Sequence, residues 1–392
     1  MLKKYFSGLS RDTFLLTFTS LFADIATEML YPILPIFLTQ YLGDGGAIVG
    51  IIEGVATAMQ NVVQGVSGAV SDKIQKRKTV AIVGYLIAAV SKPFIGLSAT
   101  WTQVLVARSS DRLGTGIRSA PRDGLIANSV ENNNRGRAFG LEGIGDNIGA
   151  FFGPLIAIAL LYYFNVGIRS IFYLSIIPGL LAVVAVLMVK EKAGNFTSKS
   201  KLDINVFKFP KSYWKYLAVI AVFGIGNISS SFMILETKNI GVPLIGTILI
   251  YAFYNLAAAL ISYPAGVWAD KFGRKYVLLT SFLLFLVSLI GFALTHNFWI
   301  ITISFLLFGV YMGIFRTSGK AFASDFSPKE LQASAVGWFN TVVGLSGLAA
   351  SIIAGQIYDK VGHSAVFAVA AVFVFLGAMF LLFLRPQKID IT

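Results

Sequence analysis

The chain has 392 residues, of which 56% are hydrophobic and 13% are charged, and its formal net charge is +13. Soluble globular domains are roughly 45–50% apolar and about 25% charged, so this composition excludes an ordinary water-soluble enzyme or binding module. The absence of cysteine excludes disulfides and thiolate metal sites, and only two histidines are present, His296 and His363. Because both histidines fall near predicted loops, the sequence indicates neither a metal site nor a cofactor.

Apolar runs with few charges recur from end to end of the chain. A helix needs about 20 predominantly apolar residues to cross a bilayer, and these runs reach roughly that length. We therefore predict an all-α membrane protein with twelve transmembrane helices. Their predicted positions are 12–40, 46–71, 79–97, 101–125, 137–163, 168–189, 213–237, 242–269, 275–294, 298–323, 332–358 and 363–384.

The positive charge is concentrated in alternate loops rather than in one patch. Lysine and arginine are frequent near both chain ends, around 73–78 and 271–275, and from 190 to 215, whereas the loops between these segments carry very few. An excess of Lys and Arg marks the cytoplasmic side of a membrane protein. The pattern predicts an inner-membrane protein with both termini in the cytoplasm, and it argues against nucleic acid as a partner.

A polar, lysine-rich segment interrupts the apolar runs at mid-chain. It separates six predicted helices on its N-terminal side from six on its C-terminal side. We predict an N-terminal six-helix bundle at residues 1–190, a cytoplasmic linker at 191–212 and a C-terminal six-helix bundle at 213–392.

A short charged loop occurs twice, about half a chain apart. The second copy is Gly-Val-Trp-Ala-Asp-Lys-Phe-Gly-Arg-Lys at 266–275, the first begins Gly-Ala-Val-Ser-Asp-Lys at 68–73, and their aspartates lie 198 positions apart. Gly116 and Ile117 likewise recur as Gly313 and Ile314, 197 positions later. Because six helices per copy preserve the membrane orientation, the repeat predicts two parallel bundles, an arrangement that suits alternating access.

The loop resembles the signature Gly-x-x-x-Asp-Arg/Lys-x-Gly-Arg-Arg/Lys of the major facilitator superfamily of secondary transporters. The second copy matches throughout, and the first has Gln75 at the glycine position. Over essentially the whole chain, the resemblance implies two pseudo-symmetric bundles that carry a small molecule through the bilayer, as a monomer. The motif residues are Gly68, Asp72, Lys73 and Arg77 in the first copy and Gly266, Asp270, Lys271, Gly273 and Arg274 in the second.

Two further patterns resemble the proton-coupled drug and metabolite antiporters of that superfamily. In helix five, the stretch Gly149 to Pro154, which includes Gly153, resembles part of the antiporter motif but lacks its final glycine. In helix four, Arg108 occupies the kind of position held by a buried arginine in those antiporters. These patterns favour an efflux protein that exchanges its cargo for protons.

The repeated loop has two interpretations. In the first, Asp72 and Asp270 each cap a helix N-terminus in the opposite bundle, where the positive end of the helix dipole favours an anion. By family resemblance Arg77 would meet Asp123, and such contacts would hold the cytoplasmic side shut. In the second, the loop is a positive-inside anchor with a tight turn. We favour the latch for the aspartates.

Several charged residues lie inside apolar helices, where their cost makes a functional role the default interpretation. Asp24 and Glu28 share a face of helix one, and Arg108, Asp111 and Arg112 form one stripe on helix four. A carboxyl that moves between an arginine and an apolar wall binds and releases a proton. We predict that these residues couple protons or contact substrate. The alternative is a static ion-pair network that fixes helix packing.

Four more polar residues are candidates for lesser roles. Glu142 and Asp146 in helix five are in register with its glycines, which predicts packing or gating near the cytoplasmic mouth rather than cargo binding. In the C-terminal half, Asn227 and Arg316 are the candidates for cargo contact.

Together these patterns predict a proton-coupled transporter that exports a small organic molecule by rocker-switch alternating access. One alternative keeps the fold but imports an anionic metabolite or siderophore through a cavity made positive by Arg108, Arg112 and Arg316. A membrane-embedded enzyme is a more remote alternative, because no catalytic constellation is recognisable. The chain also lacks a phosphate-binding Gly-Lys-Ser/Thr loop, so ATP-driven pumping is not expected.

Overall fold

The computed structural model is helical, with no strand in the residues that it describes. These are 8–74, 76–131, 134–191, 209–326 and 332–384, apart from the side chains of 68–69, 72–74 and 332–333. A π-helical turn, Phe37–Tyr41, follows the second helix. The α-helices are α1 (Arg11–Glu28), α2 (Leu34–Ile36), α3 (Gly46–Ile74), α4 (Arg77–Leu97), α5 (Trp101–Ser129), α6 (Arg135–Tyr162), α7 (Ile168–Leu174), α8 (Ile176–Leu187), α9 (Lys211–Gly226), α10 (Ser230–Asn239), α11 (Leu244–Phe272), α12 (Arg274–Leu294), α13 (Phe298–Asp325), α14 (Gln332–Lys360) and α15 (His363–Phe383).

All twelve predicted segments are helical, and ten segments of the described ranges are long and apolar enough to cross a membrane. The other two contain the charged helices α1 and α5, with four and six charged residues, respectively. The ten are Gly46–Ser67, Arg77–Leu97, Arg135–Tyr162, Ile168–Leu187, Lys211–Asn239, Leu244–Phe272, Arg274–Leu294, Phe298–Asp325, Ser334–Lys360 and His363–Phe383.

The first predicted helix is interrupted. The sequence predicts a continuous helix over 12–40, whereas α1 ends at Glu28 and turns separate it from α2. Pro32 and Pro35 explain the break, because proline lacks the N–H group that a continuing helix requires.

The seventh predicted helix is also divided. The sequence predicts a continuous helix over 213–237, whereas Asn227 has a ψ of 69° and ends α9. Ser229 then caps α10, because its side-chain oxygen accepts a hydrogen bond from the N–H of Ser231 at 3.2 Å.

By their internal contacts, the residues fall into two compact units, which are described separately. Unit 1 comprises Met1–Tyr31 and Val63–Lys199, and unit 2 comprises Pro32–Val62 and Ser200–Thr392. Unit 2 therefore includes α2 and the first part of α3. The bundle boundaries predicted from the sequence stay a prediction, and residues 192–208 of the predicted linker lie outside the described residues.

In unit 1, a glycine stripe on α6 lets α1 approach closely. The stripe consists of Gly145, Gly149 and Gly153. A Cβ added at Gly149 would lie 2.6 Å from the main-chain oxygen of Leu21, and one added at Gly153 would lie 3.0 Å from that of Ile25. Larger side chains at these positions would therefore push α1 and α6 apart.

A second close contact joins α4 and α5. A Cβ added at Gly84 would lie 2.7 Å from the main-chain oxygen of Gly114, and one added at Gly114 would lie 2.6 Å from the main-chain nitrogen of Ala88. The short distance between these backbones brings the charged face of α5 against α4.

Unit 2 has an aromatic core between α9, α12 and α13. Phe223 of α9 stacks on Phe282 of α12 with ring centroids 3.6 Å apart, and Phe285 stacks on Tyr311 of α13 at 4.3 Å. Aromatic pairs add about 0.5–1.5 kcal/mol beyond the burial of their area. The two units are thus stabilised differently, with buried charges in unit 1 and stacked rings in this part of unit 2.

The two units repeat one hydrogen bond at the start of the helix that follows the charged loop. In unit 1, Nη1 of Arg77 donates to the main-chain oxygen of Gly124 at 3.4 Å. In unit 2, Nη1 of Arg274 donates to that of Ala321 at 2.9 Å. Donor and acceptor both recur with the 197-residue offset seen in the sequence, which supports a duplicated origin of the two copies.

Candidate functional site

Four charged side chains meet between α4 and α5 in unit 1, and Asp111 lies at their centre. Its Oδ1 accepts a hydrogen bond from Nζ of Lys92 at 2.5 Å, and its Oδ2 accepts one from Nη1 of Arg108 at 3.1 Å. Nε of Arg112 lies 3.7 Å from the same Oδ2. The side chains of Lys92, Arg108 and Asp111 are at most 3% exposed. Asp111 is therefore the shared anion of three cations in a place where isolated charge is costly.

The ring of Tyr31, just after α1, also belongs to this Asp111 cluster. The guanidinium carbons of Arg108 and Arg112 lie 5.2 and 5.7 Å from its centroid. Such cation–π contacts contribute about 0.5–2 kcal/mol, more when they are shielded from water. Lys92 is not among the residues that the sequence analysis predicts, so the cluster has one more cation than expected.

Asp24 on α1 is in contact with Arg118 on α5. Its Oδ1 lies 4.0 Å from Nη2 of Arg118, and its side chain is 28% exposed. The main charged groups acting on Asp24 are the carboxyl groups of Asp146 and Glu28 and the guanidinium groups of Arg118 and Arg122. Asp24 therefore lies among charges of both signs.

Arg122 is the centre of a third group of charges. Its Nη1 lies 2.9 Å from Oε1 of Glu142 and 3.7 Å from Oδ1 of Asp146, and its Nη2 donates to Oδ1 of Asp123 at 3.0 Å. The hydroxyl of Ser20 on α1 donates to Oε1 of Glu142 at 2.9 Å. One guanidinium group is thus shared by three carboxylates from α5 and α6, and a hydroxyl from α1 joins them.

The glycine stripe of α6 also packs against the Cβ atoms of the two acidic residues of α1. A Cβ added at Gly149 would lie 2.9 Å from Cβ of Asp24, and one added at Gly153 would lie 2.9 Å from Cβ of Glu28. Pro154 follows within α6. The predicted coupling residues of α1 therefore lie at a tight helix contact, and bulkier side chains on α6 would displace them.

The three groups of charges follow one face of α5. Arg108, Asp111, Arg118 and Arg122 are separated by three, seven and four positions, which are the spacings of residues on one helix face. With a rise of 1.5 Å per residue, the fourteen positions from Arg108 to Arg122 span about 21 Å. The hydrocarbon core of a bilayer is about 30 Å thick. This face therefore carries charged groups along most of a membrane thickness.

The two cargo-contact candidates of the C-terminal half belong to unit 2. Oδ1 of Asn227 accepts a hydrogen bond from the buried hydroxyl of Tyr311 at 3.0 Å, which ties the break between α9 and α10 to α13. Arg316 lies on α13 and is exposed. Both roles stay predictions.

The second copy of the charged loop joins α11 to α12. Gly273 has a φ of +93°, in the left-handed region that favours glycine, so this motif position needs its glycine. Nη1 of Arg274 lies 2.5 Å from Oδ1 of Asp325, and its Nη2 lies 3.7 Å from Oδ1 of Asp270. The remaining motif residues of this copy lie in α11: Gly266 and Lys271.

The first copy of the charged loop is described in part. Asp123, which the family resemblance pairs with Arg77, accepts from Arg122, and Arg77 donates to the main-chain oxygen of Gly124 beside it. The latch stays a prediction for both copies. Three motif residues of the first copy lie outside the described side chains: Gly68, Asp72 and Lys73.

The sequence matches a known family along nearly its whole length. The family model for the Major Facilitator Superfamily matches residues 16–237 and 216–390. The chain is 32% identical over 382 residues to an uncharacterized MFS-type transporter of Methanocaldococcus jannaschii, MJ1317, covering 96% of this chain and 95% of the relative. It is 22% identical over 372 residues to the quinolone resistance protein NorA of Staphylococcus aureus, covering 90% and 91%.

Solved structures share the fold. The structure of the nucleoside transporter NupG has a TM-score of 0.77 at 14% identity and covers 96% of this chain and 100% of its own. A bacterial homolog to the human lysosomal transporter Spinster has a TM-score of 0.73 at 15% identity, with coverage of 96% and 98%. At these identities the likeness shows the fold alone. Together with the family model and the archaeal relative, it shows that this multi-pass membrane protein belongs to the major facilitator superfamily of transporters.

Proposed function

We propose that the protein is a proton-coupled exporter of small organic molecules in the inner membrane, acting as a monomer by alternating access of two six-helix bundles. Membership of the superfamily supports transport of a small molecule across a bilayer, and the resemblance to antiporters supports exchange for protons. The distribution of Lys and Arg supports cytoplasmic termini. In this orientation, the ends of the helices next to residues 42–45, 240–243, 295–297 and 361–362 are the outer ends.

The observation that carries the proposal is the surroundings of Asp24. This carboxyl is 28% exposed and lies at the edge of ion-pair distance from Arg118, with two other carboxyl groups and Arg122 also acting on it. A carboxyl that is held loosely by a cation, near other carboxyl groups, can replace the cation with a proton at small cost. Asp24 is therefore suited to exchange protons between the two sides of the membrane.

The proposed coupling follows from which groups surround Asp24 at each stage. When α1 and α5 are close, Arg118 stabilises the ionised carboxyl and favours release of its proton. When the helices separate, the carboxyl loses that cation within apolar surroundings and takes up a proton. On the outer side, cargo leaves as the carboxyl takes up a proton. On the cytoplasmic side, the carboxyl releases the proton as new cargo binds, so the proton gradient drives export.

We expect Asp24→Asn to abolish transport that is driven by a pH gradient. The amide keeps the size of the side chain but neither ionises nor attracts Arg118. The measurement uses everted membrane vesicles with an acidic interior and a fluorescent quinolone as probe. A quinolone is chosen because the relative NorA is a quinolone resistance protein. Vesicles with the unsubstituted protein should accumulate the probe, and those with the variant should not.

Asp12→Asn is the matched control for this test. Asp12 lies on the same helix, at its exposed end, where it accepts from the main-chain N–H of Lys190 at 3.2 Å. It should leave accumulation unchanged. If Asp24→Asn vesicles accumulate the probe as fast as the control vesicles do, Asp24 does not couple protons.

A second candidate function is uptake of an organic anion, and the specific observation that favours it is Lys92. With Arg108 and Arg112, it gives the Asp111 cluster three cations around one aspartate. We expect Lys92→Gln to abolish uptake of an anionic probe, such as a fluorescent dicarboxylate, if the cluster binds anions. Accumulation of the quinolone with no uptake of the anion would instead rule out this second candidate.

A further inference from the structure

Both histidines of the chain approach one buried carboxylate in unit 2. Glu236 lies near the end of α10, and its side chain is 1% exposed. Nε2 of His296, just before α13, lies 3.8 Å from Oε1 of Glu236, and Nδ1 of His363, the first residue of α15, lies 3.5 Å from Oε2. These three residues, the histidine–glutamate cluster, come from positions 60 and 67 residues apart in the sequence.

The cluster is buried on one side and open on the other. The side chains of His296 and His363 are 71% and 44% exposed, so water reaches both imidazoles. Oε1 of Glu236 is buried and, among the described residues, has no hydrogen-bond partner. A buried carboxylate oxygen without a donor is costly, and a protonated imidazole would supply both a donor and a positive charge.

Several other polar groups of the described residues lie near the cluster. Nδ2 of Asn239 donates to the hydroxyl of Tyr358 at 2.6 Å and lies 2.9 Å from Nδ1 of His363, whose ring stacks on Tyr358 at 4.2 Å. On α14, the charged residues Asp359 and Lys360 follow Tyr358 in the sequence. On α10, Lys238 follows Glu236 by two positions, and its Nζ lies 3.4 Å from the main-chain oxygen of Val242. From α2, which packs on α10, only apolar residues are present.

We propose that Glu236, His296 and His363 form a second proton-binding site, at the outer end of unit 2, separate from the carboxyl groups of unit 1. Histidine is the side chain whose ordinary titration falls between about pH 5 and 8. Its exposed imidazoles take protons from outside water, and the buried carboxylate holds the resulting charge. The site's outer location rests on the orientation given under the proposed function.

Proton binding changes the hydrogen bonds of the cluster. A neutral His363 accepts from Asn239 through Nδ1, whereas a protonated Nδ1 has no free lone pair and must donate. It then donates to Oε2 of Glu236, while Nδ2 of Asn239 keeps its hydrogen bond to the hydroxyl of Tyr358. In the same way, a protonated His296 donates to Oε1 of Glu236. The outer ends of α10, α13 and α15 are drawn together by these added ion pairs.

The cluster is next to a contact between α14 and α3. Asp359, beside Tyr358, accepts hydrogen bonds from the main-chain N–H groups of Gly46 and Ala47 at 2.7 and 2.9 Å. The ring of Tyr358 itself packs on Gly46. Protonation of the cluster holds His363 against Glu236, and the ring of His363 in turn holds Tyr358, on which it stacks. Protonation therefore stabilises this contact, and acid outside the cell keeps it closed.

The absence of cysteine permits a direct test. Ser351 on α14 is 4% exposed, and its main-chain oxygen packs against Gly50 of α3. A Ser351→Cys protein is reconstituted in vesicles with its outer face outward and labelled with a membrane-impermeant maleimide at about pH 5.5 and about pH 8. The same cysteine in a His296→Asn/His363→Gln background corrects for ionisation of the thiol.

After this correction, labelling at the lower pH should be slower by roughly fivefold or more, the lower end of typical coupling between sites. Glu236→Gln should remove the difference while leaving both imidazoles in place. Equal pH dependence with and without the histidines would overturn the proposal. A second result would also overturn it. If micromolar Zn²⁺ slows labelling at the higher pH, and does so only when both histidines are present, the cluster is a metal site. No cargo is needed, so failure here leaves the role of Asp24 untouched.

Discussion

Replacement of Asp111 by Asn is expected to destabilise the protein by about 3–5 kcal/mol, the usual cost of removing one partner of a buried ion pair. The substitution removes the negative charge that lies 2.5 to 3.7 Å from groups of Lys92, Arg108 and Arg112. These cations would repel one another within the membrane. The midpoint of thermal unfolding in detergent, followed by intrinsic fluorescence, measures the loss.

Two further variants decide whether the loss comes from uncompensated charge. Asp270→Asn is the matched control, because Asp270 also pairs with an arginine at 3.7 Å but is 76% exposed; exposed pairs are worth about 0–1 kcal/mol. Lys92→Gln combined with Asp111→Asn should recover part of the stability. A double variant no more stable than Asp111→Asn alone would show that the cluster acts through packing instead.

Replacement of Arg122 by Gln is expected to reduce pH-gradient-driven transport to the level of vesicles without the protein. Arg122 lies within ion-pair distance of three carboxylates, those of Asp123, Glu142 and Asp146. Without it, Glu142 is left buried beside other carboxylates, at a cost of about 3–5 kcal/mol when one partner is lost. The contact of α1 with α5 and α6 would then loosen where Ser20 joins Glu142. The everted-vesicle assay with the quinolone probe measures the effect.

Arg135→Gln serves as the control for Arg122, since Arg135 is exposed and donates to a main-chain oxygen at 3.1 Å. Transport should survive that change. Adding Glu142→Gln to Arg122→Gln should recover part of the lost stability, because it removes the buried charge that lost its partner. If Arg122→Gln alone transports normally, the shared guanidinium group has no part in the cycle.

The fold could be predicted from the sequence because its strongest signals are local. Long apolar runs identify helices in a membrane regardless of their packing, and all twelve predicted segments are helical. The interruptions of the first and seventh segments are harder to predict than the segments themselves. Pro32 and Pro35 interrupt the first segment, but hydropathy alone predicts one continuous helix through so apolar a run. Gly224, Gly226 and Asn227 likewise signalled the division of the seventh segment, which hydropathy alone does not show.

The candidate site could be predicted only on the helices where acids stand out. Asp24 and Asp111 are conspicuous because a carboxylate within an apolar run is costly. Lys92 is not, because it lies five positions from the end of α4, where a lysine ordinarily extends its amine to the membrane surface. Its burial depends on Asp111, which belongs to another helix, and no local pattern reveals that pairing.

The histidine–glutamate cluster was beyond sequence reasoning for a similar reason. Its members stand at 236, 296 and 363, each near the end of a different element. The sequence predicts that both histidines lie near loops, but no local pattern indicates that these loops are close to each other in the fold. Glu236, two residues before a lysine near a helix end, has the local pattern of an ordinary surface pair.

The hydrogen bonds of Arg77 and Arg274 both end on main-chain oxygen atoms, those of Gly124 and Ala321. Every amino acid carries that acceptor, so the bond places no demand on the identity of the residue that supplies it. After a duplication, the two copies were therefore free to diverge on the accepting helix while the arginine went on joining the same two backbones. This hydrogen bond between two helices of each copy therefore tolerates substitutions that would break a bond between two side chains.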